Sequence, residues 1–367
     1  MVNLTSLINK INLMPNSKAK AIEICLVFSY LNFYIESKQI SEDEAKEYTL
    51  SLNESEVFLK HYVHQEKNQV LALLNSSSEL NDMYENILTH ANKYNLFTVP
   101  LPNNINIKKL FSYAKDFMSF MGNDVINLFN KLVDNDLVYE TDIANYGGKC
   151  YRLDGNTSGI IIRFDTIPFY KIFAIVHEMG HAYFHYLGRG VPTLMRSNLA
   201  NESMPRIFEH LFLEYLRNNY LIDHNTLDLY ERFLFMHELS ITNSVYIVNK
   251  LLIDEKIPAD FHLENITFKL DQKDYNNLSI INPKYNKEQD FMGFIYNYYA
   301  YAFLLAMVMK ERFSKDELET RKFIKDFPSY ARELNASELI NLYDKTEYIN
   351  STNKNTSRVF SKTIYKK

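Results

Sequence analysis

Seven of the nine glycines in this 367-residue chain, at 147, 148, 155, 159, 180, 188 and 190, fall within one short stretch. Glycine lets a backbone turn tightly or approach another group closely, so such clustering marks the surroundings of one site. Elsewhere glycine is rare, and only nine prolines occur in the whole chain. A chain with so few turn residues has to use long elements. The segments "KAKAIEICLVFSYLNFYIES", "SEVFLKHYVHQEKNQVLALLNSS" and "IKKLFSYAKDFMSFMGNDVINLFNKLV" repeat apolar residues at steps of three and four. That is the period of a helix buried along one face. The fold class expected is therefore mainly α, and no internal repeat is visible.

The glycine-rich stretch holds the clearest strand, "SGIIIRF", 158–164, a β-branched run. "DTIP" follows, offering Asp165 and Thr166 as caps and Pro168 for a first turn. A helix then runs to about Leu187, where Gly188 stops it. Its second half, "IVHEMGHAYFHY", carries His177, Glu178 and His181 inside an otherwise apolar pattern. Burying these groups without partners is costly. His177 and His181, four apart, share one helix face, so both imidazoles can reach one ion at roughly 2.0–2.1 Å. Glu178 lies one step round, placed to take a proton from a metal-bound water. Random order in a chain of this composition would give roughly 0.03 such matches. The competing reading is a core helix whose histidines bond to backbone carbonyls.

A catalytic zinc needs a third protein ligand and an open position. "NLANESMPRIFEHLFLEYL", 198–216, offers Glu202, Glu209, His210 and Glu214. Glu202 and Glu209 are two helical turns apart and share a face, so one can bind while the other orients a ligand. Glu214 reads as a surface carboxylate. His185 continues the histidine face but reads as a solvated or supporting residue, since a fourth protein ligand would close the site. "GFIYNYYAYAFLLAMVMKERF", 293–313, holds Tyr296, Tyr298, Tyr299 and Tyr301. Phenols at this density can donate to an oxyanion, though spacing alone favours an aromatic core stripe.

Composition excludes several classes. Net charge is −5 and the pI about 6.1, with no basic tract, so neither nucleic acid nor an anionic membrane is an expected partner. Two cysteines, Cys25 and Cys150, give no disulfide framework and suit a reducing compartment. The first twenty residues lack a basic start followed by a long apolar run, so no signal peptide is expected. The apolar run 301–309 is too short to span a bilayer. The expectation is a soluble cytoplasmic protein. "LFTVPLPNNIN", 96–106, marks a boundary. It suggests a helical lobe over 1–98, a catalytic domain over 99–350 and a polar tail over 351–367 that frays. Oligomeric state is not legible.

These residues resemble the thimet oligopeptidase and oligoendopeptidase F family of zinc metallopeptidases. "GGKCYRL", 147–153, looks like that family's glycine-aromatic-cysteine segment, and "RFDTIPFYKIFAIVHEMGHAYFHYL", 163–187, looks like its strand, turn and HExGH helix. "NESMPRIFEH", 201–210, is similar to its glutamate block. The resemblance selects Glu202 as third ligand and Glu209 as the partner that orients a ligand. "YNYYAYAFLLA", 296–306, resembles the family's tyrosine helix and raises Tyr298 and Tyr301, with Tyr299 as substitute, to oxyanion donors. It implies a helical zinc-peptidase fold with a small β element before the HExxH helix and a substrate channel between two helical lobes. It further implies one zinc ion and cleavage of internal bonds in short peptides, with Glu178 as base. The chain departs in being shorter, in having Phe184 then His185 where the family has a histidine three after the second ligand, and in lacking any histidine after His262. The shortened frame suggests a narrower task, such as maturation of one small peptide. Two other readings share the motif: a zinc carboxypeptidase of similar helical build, and a peptide-binding module that kept the metal site but lost turnover.

Overall fold

The computed structural model describes residues 3–15, 18–52, 106–141, 147–153, 157–163, 168–188, 198–235, 292–333, 338, 342–343 and 345–361. Three helices come first: α1 (Leu4–Asn12), α2 (Lys18–Glu36) and α3 (Glu42–Leu50). The expected helix within 55–77 and the boundary at 96–106, on which the 1–98 and 99–350 domains rest, lie outside the described residues, apart from Asn106. Next come α4 (Ile107–Met121), α5 (Asn123–Asp134), β1 (Val138–Thr141), β2 (Gly148–Arg152), β3 (Ser158–Arg163) and α6 (Pro168–Leu187). They are followed by α7 (Asn198–Asn218), a helical segment at 224–235, α8 (Met292–Lys315), α9 (Glu317–Glu333) and α10 (Lys345–Ser361).

Local chemistry sets the ends. Asn3 and Asn106 cap α1 and α4 by accepting backbone N–H bonds, and Ser41 with Glu44 closes a capping box on α3. Gly122 separates α4 from α5 at φ 148°, where a Cβ would sit 2.7 Å from Asp124 Oδ1.

The three strands form one sheet in the order β1-β3-β2, with β1 parallel and β2 antiparallel to β3. β3 alternates between two cores. Ile160 and Ile162 face the larger one with α4, α5, α6 and α7, while Ile161 joins α1, α2 and α3 with Tyr151 and Leu153. The β-branched run is thus buried on both faces, which explains its unbroken apolar character. α7 lies along both α6 and α8.

The polar tail expected to fray from 351 is instead helical through Ser361, and Ser351, Thr352 and Asn355 are buried. Small polar side chains let α10 lie close on α8, and Asn355 Nδ2 donates to the Ser351 carbonyl at 2.8 Å. Arg312 on α8 also forks onto Glu347 at 2.7 and 2.9 Å. Residues 362–367 lie outside the described ones. No described helix is long and apolar enough to cross a membrane.

Candidate metal centre

α6 is anchored by aromatic packing on its apolar face. Phe169 stacks on Phe173 at 5.3 Å, and Tyr230 sits 4.1 Å from Phe173. Val176 and Met179 are fully buried. Each such side chain contributes about 1.5–3 kcal/mol on burial. Tyr183 Oη donates to Asp124 Oδ2 at 2.8 Å and ties the far end of α6 to α5. With that face fixed, His177 and His181 are presented together towards α7.

α7 comes unusually close. A Cβ on Gly180 would lie 2.5 Å from Pro205 Cα and 2.7 Å from its nitrogen, so the two backbones touch where glycine meets proline. Pro205, inside α7, has no N–H for the Asn201 carbonyl four residues back.

This approach brings His177, His181 and Glu202 into one group, whose ligand atoms all lie within 4.8 Å of one another. Glu202 Oε2 is 3.9 Å from His177 Nε2 and 3.7 Å from His181 Nε2. It is enclosed and has no hydrogen-bond partner among the described residues. Three donors on bonds of ~2.0–2.1 Å to a tetrahedral ion sit about 3.3 Å apart. The two carboxylate–imidazole spacings, 3.9 and 3.7 Å, lie close to that value, and the whole group within 4.8 Å. The donor set, two imidazoles and one carboxylate, also fits a zinc or similar ion. Burial lowers the His181 pKa well below the ordinary histidine value, with the neighbouring imidazoles adding to it, and burial raises that of Glu202. Both shifts disfavour the charged forms in this enclosed place.

Glu178 is buried beside the group, against the edge of the sheet. A Cβ on Gly148 would lie 2.9 Å from Glu178 Cγ and Oε1, so the glycine of β2 makes room for this carboxylate. Burial pushes the Glu178 carboxyl up to about 8, with Glu202 and Glu209 adding to the rise and His177 opposing it.

Glu209, two turns beyond Glu202, reaches His177 from the other side, with Oε1 3.4 Å from Nδ1. Its second oxygen accepts from Arg206 Nη1 at 2.7 Å. Burial would raise the Glu209 pKa, but Arg206 and His177 outweigh it and hold the carboxyl far below its usual range. Burial lowers the His177 pKa, but Glu209 outweighs it and the net shift is upward.

His185 stands apart from the group. It is buried, stacked 6.4 Å from His181, and its Nδ1 lies 3.1 Å from Ser158 Oγ and 4.0 Å from Cys150 Sγ. It supports the junction of α6 with β2 and β3. Glu214, read as a surface carboxylate, lies in a charged cluster in the interior, where Lys310 and Arg217 reach it at 3.0 and 2.6 Å. Tyr298, Tyr299 and Tyr301 fall on α8, but their side chains, like that of Tyr296, lie outside the described residues. Arg206 was not singled out from the sequence. Its signal was there, a basic residue four after Glu202 and three before Glu209 on one helix face.

No protein-family model and no curated protein matches this chain. Among solved structures, "PZ PEPTIDASE A with inhibitor 2" superposes with a TM-score of 0.53 at 12% identity, covering 98% of this chain and 77% of its own. A second, "The Structure of CHT", gives 0.42 at 14% identity, covering 97% and 84%. At 12% identity the first likeness establishes the fold, a mainly helical one with a small sheet, shared with a peptidase.

Proposed function

We propose that this protein is a zinc-dependent peptidase that hydrolyses internal bonds of short peptides. The observation that carries the reading is the convergence of Glu202 Oε2, enclosed and without a partner among the described residues, on the Nε2 atoms of His177 and His181. The peptidase fold supports it. In this reading His177, His181 and Glu202 hold one zinc ion, which when bound supplies a Lewis acid for the scissile carbonyl and an acidified water. Glu178 takes the proton of the attacking water and delivers it to the leaving amine. Glu209 accepts from His177 Nδ1 and fixes that ring's orientation. Tyr298 or Tyr301, with Tyr299 as substitute, donates to the oxyanion, and loss of the donor costs roughly 10²–10³ in rate. His185 braces α6 on the sheet.

Glu178→Gln tests the assignment. The variant should keep one equivalent of zinc by metal analysis and lose roughly 10²–10⁴ of its hydrolytic rate. Wild-type turnover in that variant would remove Glu178 as base. Mass spectrometry of digests separates internal cleavage from stepwise release of C-terminal residues, which would make the enzyme a carboxypeptidase. Bound zinc and bound peptide without hydrolysis would make it a binding module. Indiscriminate cleavage of a random peptide library would count against maturation of one small peptide as its task.

A further inference from the structure

The three carboxylates around the histidine pair, Glu178, Glu202 and Glu209, are all largely buried, with residue or side-chain exposures of 4, 14 and 6%. The guanidinium that acts on Glu202 and Glu209 is that of Arg206, 5% exposed. Lys149 also faces Glu178, but its side chain is 44% exposed and water screens it. Arg206 grips Glu209 at 2.7 Å, and Glu209 in turn meets His177 Nδ1. Three carboxylates and two imidazoles thus converge with one guanidinium gripping the outermost acid, and a divalent ion among them would supply further positive charge.

We infer that Arg206 is the resident counter-cation of the centre, a positioning residue that lets the carboxylate-rich site form before metal arrives. The inference rests on the reading of His177, His181 and Glu202 as a metal site. Arg206 acts through Glu209 and through the local charge. It holds α7 against α6 in the metal-free chain. Because it carries the same sign as the ion, it also limits how tightly the ion is held. Removing it has two consequences of opposite direction: the metal-free protein weakens, and zinc, now the sole strong counter-charge, binds more tightly and restores more stability.

Arg206→Gln and Arg206→Lys test this in the full chain. The readouts are thermal unfolding in chelator and in saturating zinc, and zinc affinity by competition with a chromophoric chelator. R206Q should melt lower than wild type in chelator, recover most of the loss in zinc, and bind zinc at least about tenfold tighter. Folding only when zinc is present is the extreme form of the same result. R206K, which keeps the charge, should follow wild type in both readouts. An equal loss with and without zinc, failure to fold in either condition, or zinc binding unchanged or weaker in R206Q would overturn the inference and leave Arg206 a packing residue. If wild type itself neither binds zinc nor is stabilised by it, the metal site falls, and this inference with it.

Discussion

Two buried charged clusters lie on α7, and they are built on different terms. At the α10 side, Glu214, Asp228 and Glu231 meet Arg217, Lys310 and Arg358, three acids and three bases. Lys310 Nζ donates to Glu231 Oε1 at 2.7 Å, Arg217 Nη2 to Glu231 Oε2 at 2.9 Å and to Asp228 at 3.2 Å, and Arg358 reaches both Glu231 and Glu214. Every carboxylate there has a cation of the chain itself. At the α6 side, Arg206 grips Glu209, and Glu202 Oε2 points at two imidazoles from too far for a hydrogen bond. The first cluster is complete as folded and joins α7, the 224–235 segment, α8 and α10. The second gathers two imidazoles and a carboxylate without a hydrogen bond between them, a group that could hold a metal ion.

The largest expected effect that separates the two is at Glu231. Glu231→Gln strips one partner from Lys310 and Arg217, both largely buried, and from the more exposed Arg358, and should cost about 3–5 kcal/mol of stability in urea unfolding. Its zinc content should not change. Loss of zinc in that variant would show that the clusters are one unit.

Acid gives the next effect. Burial would raise the Glu231 pKa, but Lys310, Arg358 and Arg217 bring it down to about 2. A carboxyl depressed in the folded state adds stability above its unfolded value near 4.5, and loses it as pH falls through the folded value. About 3 kcal/mol should therefore disappear between pH 4.5 and 2 in wild type. In E231Q that part of the acid slope should be missing, as unfolding midpoints against pH would show.

The smallest effect is at the other cluster. Gly180→Ala forces a methyl into Pro205 and should cost about 1–3 kcal/mol. Because the methyl parts α6 from α7, it should also weaken zinc binding, measured by chelator competition. A variant that loses stability but holds zinc as before would mean that Glu202 does not depend on this contact.

The contrast also shows what the sequence could carry. The strand before α6, the end of α6 at Gly188 and the pairing of His177 with His181 are local properties of period and stop residue, and they were readable directly; the expected caps Asp165 and Thr166 lie outside the described residues. Glu202 and Glu209 were readable as two carboxylates on one face, but four candidates stood open until a resemblance chose between them. Glu214, read as a surface carboxylate, is 22% exposed and meets Arg217 three residues on, but also Lys310 and Arg358, 96 and 144 residues further along, and no local pattern announces those two meetings. The helix over Lys345–Ser361 was missed for a related reason. Ser351, Thr352 and Asn355 look solvated until α8 is laid against them.

The pairing of β2 with β3 sets Gly148 opposite Ile162 and Lys149 opposite Ile161. Were that ladder to slip by a single step, the bare backbone now beside Glu178 would move off and the lysine stem would swing to the same side. An ammonium would then fill the gap and meet the Glu178 carboxyl from within. The accuracy of one short hairpin thus decides whether the acid on α6 stays available to a guest molecule or is taken up by the chain itself.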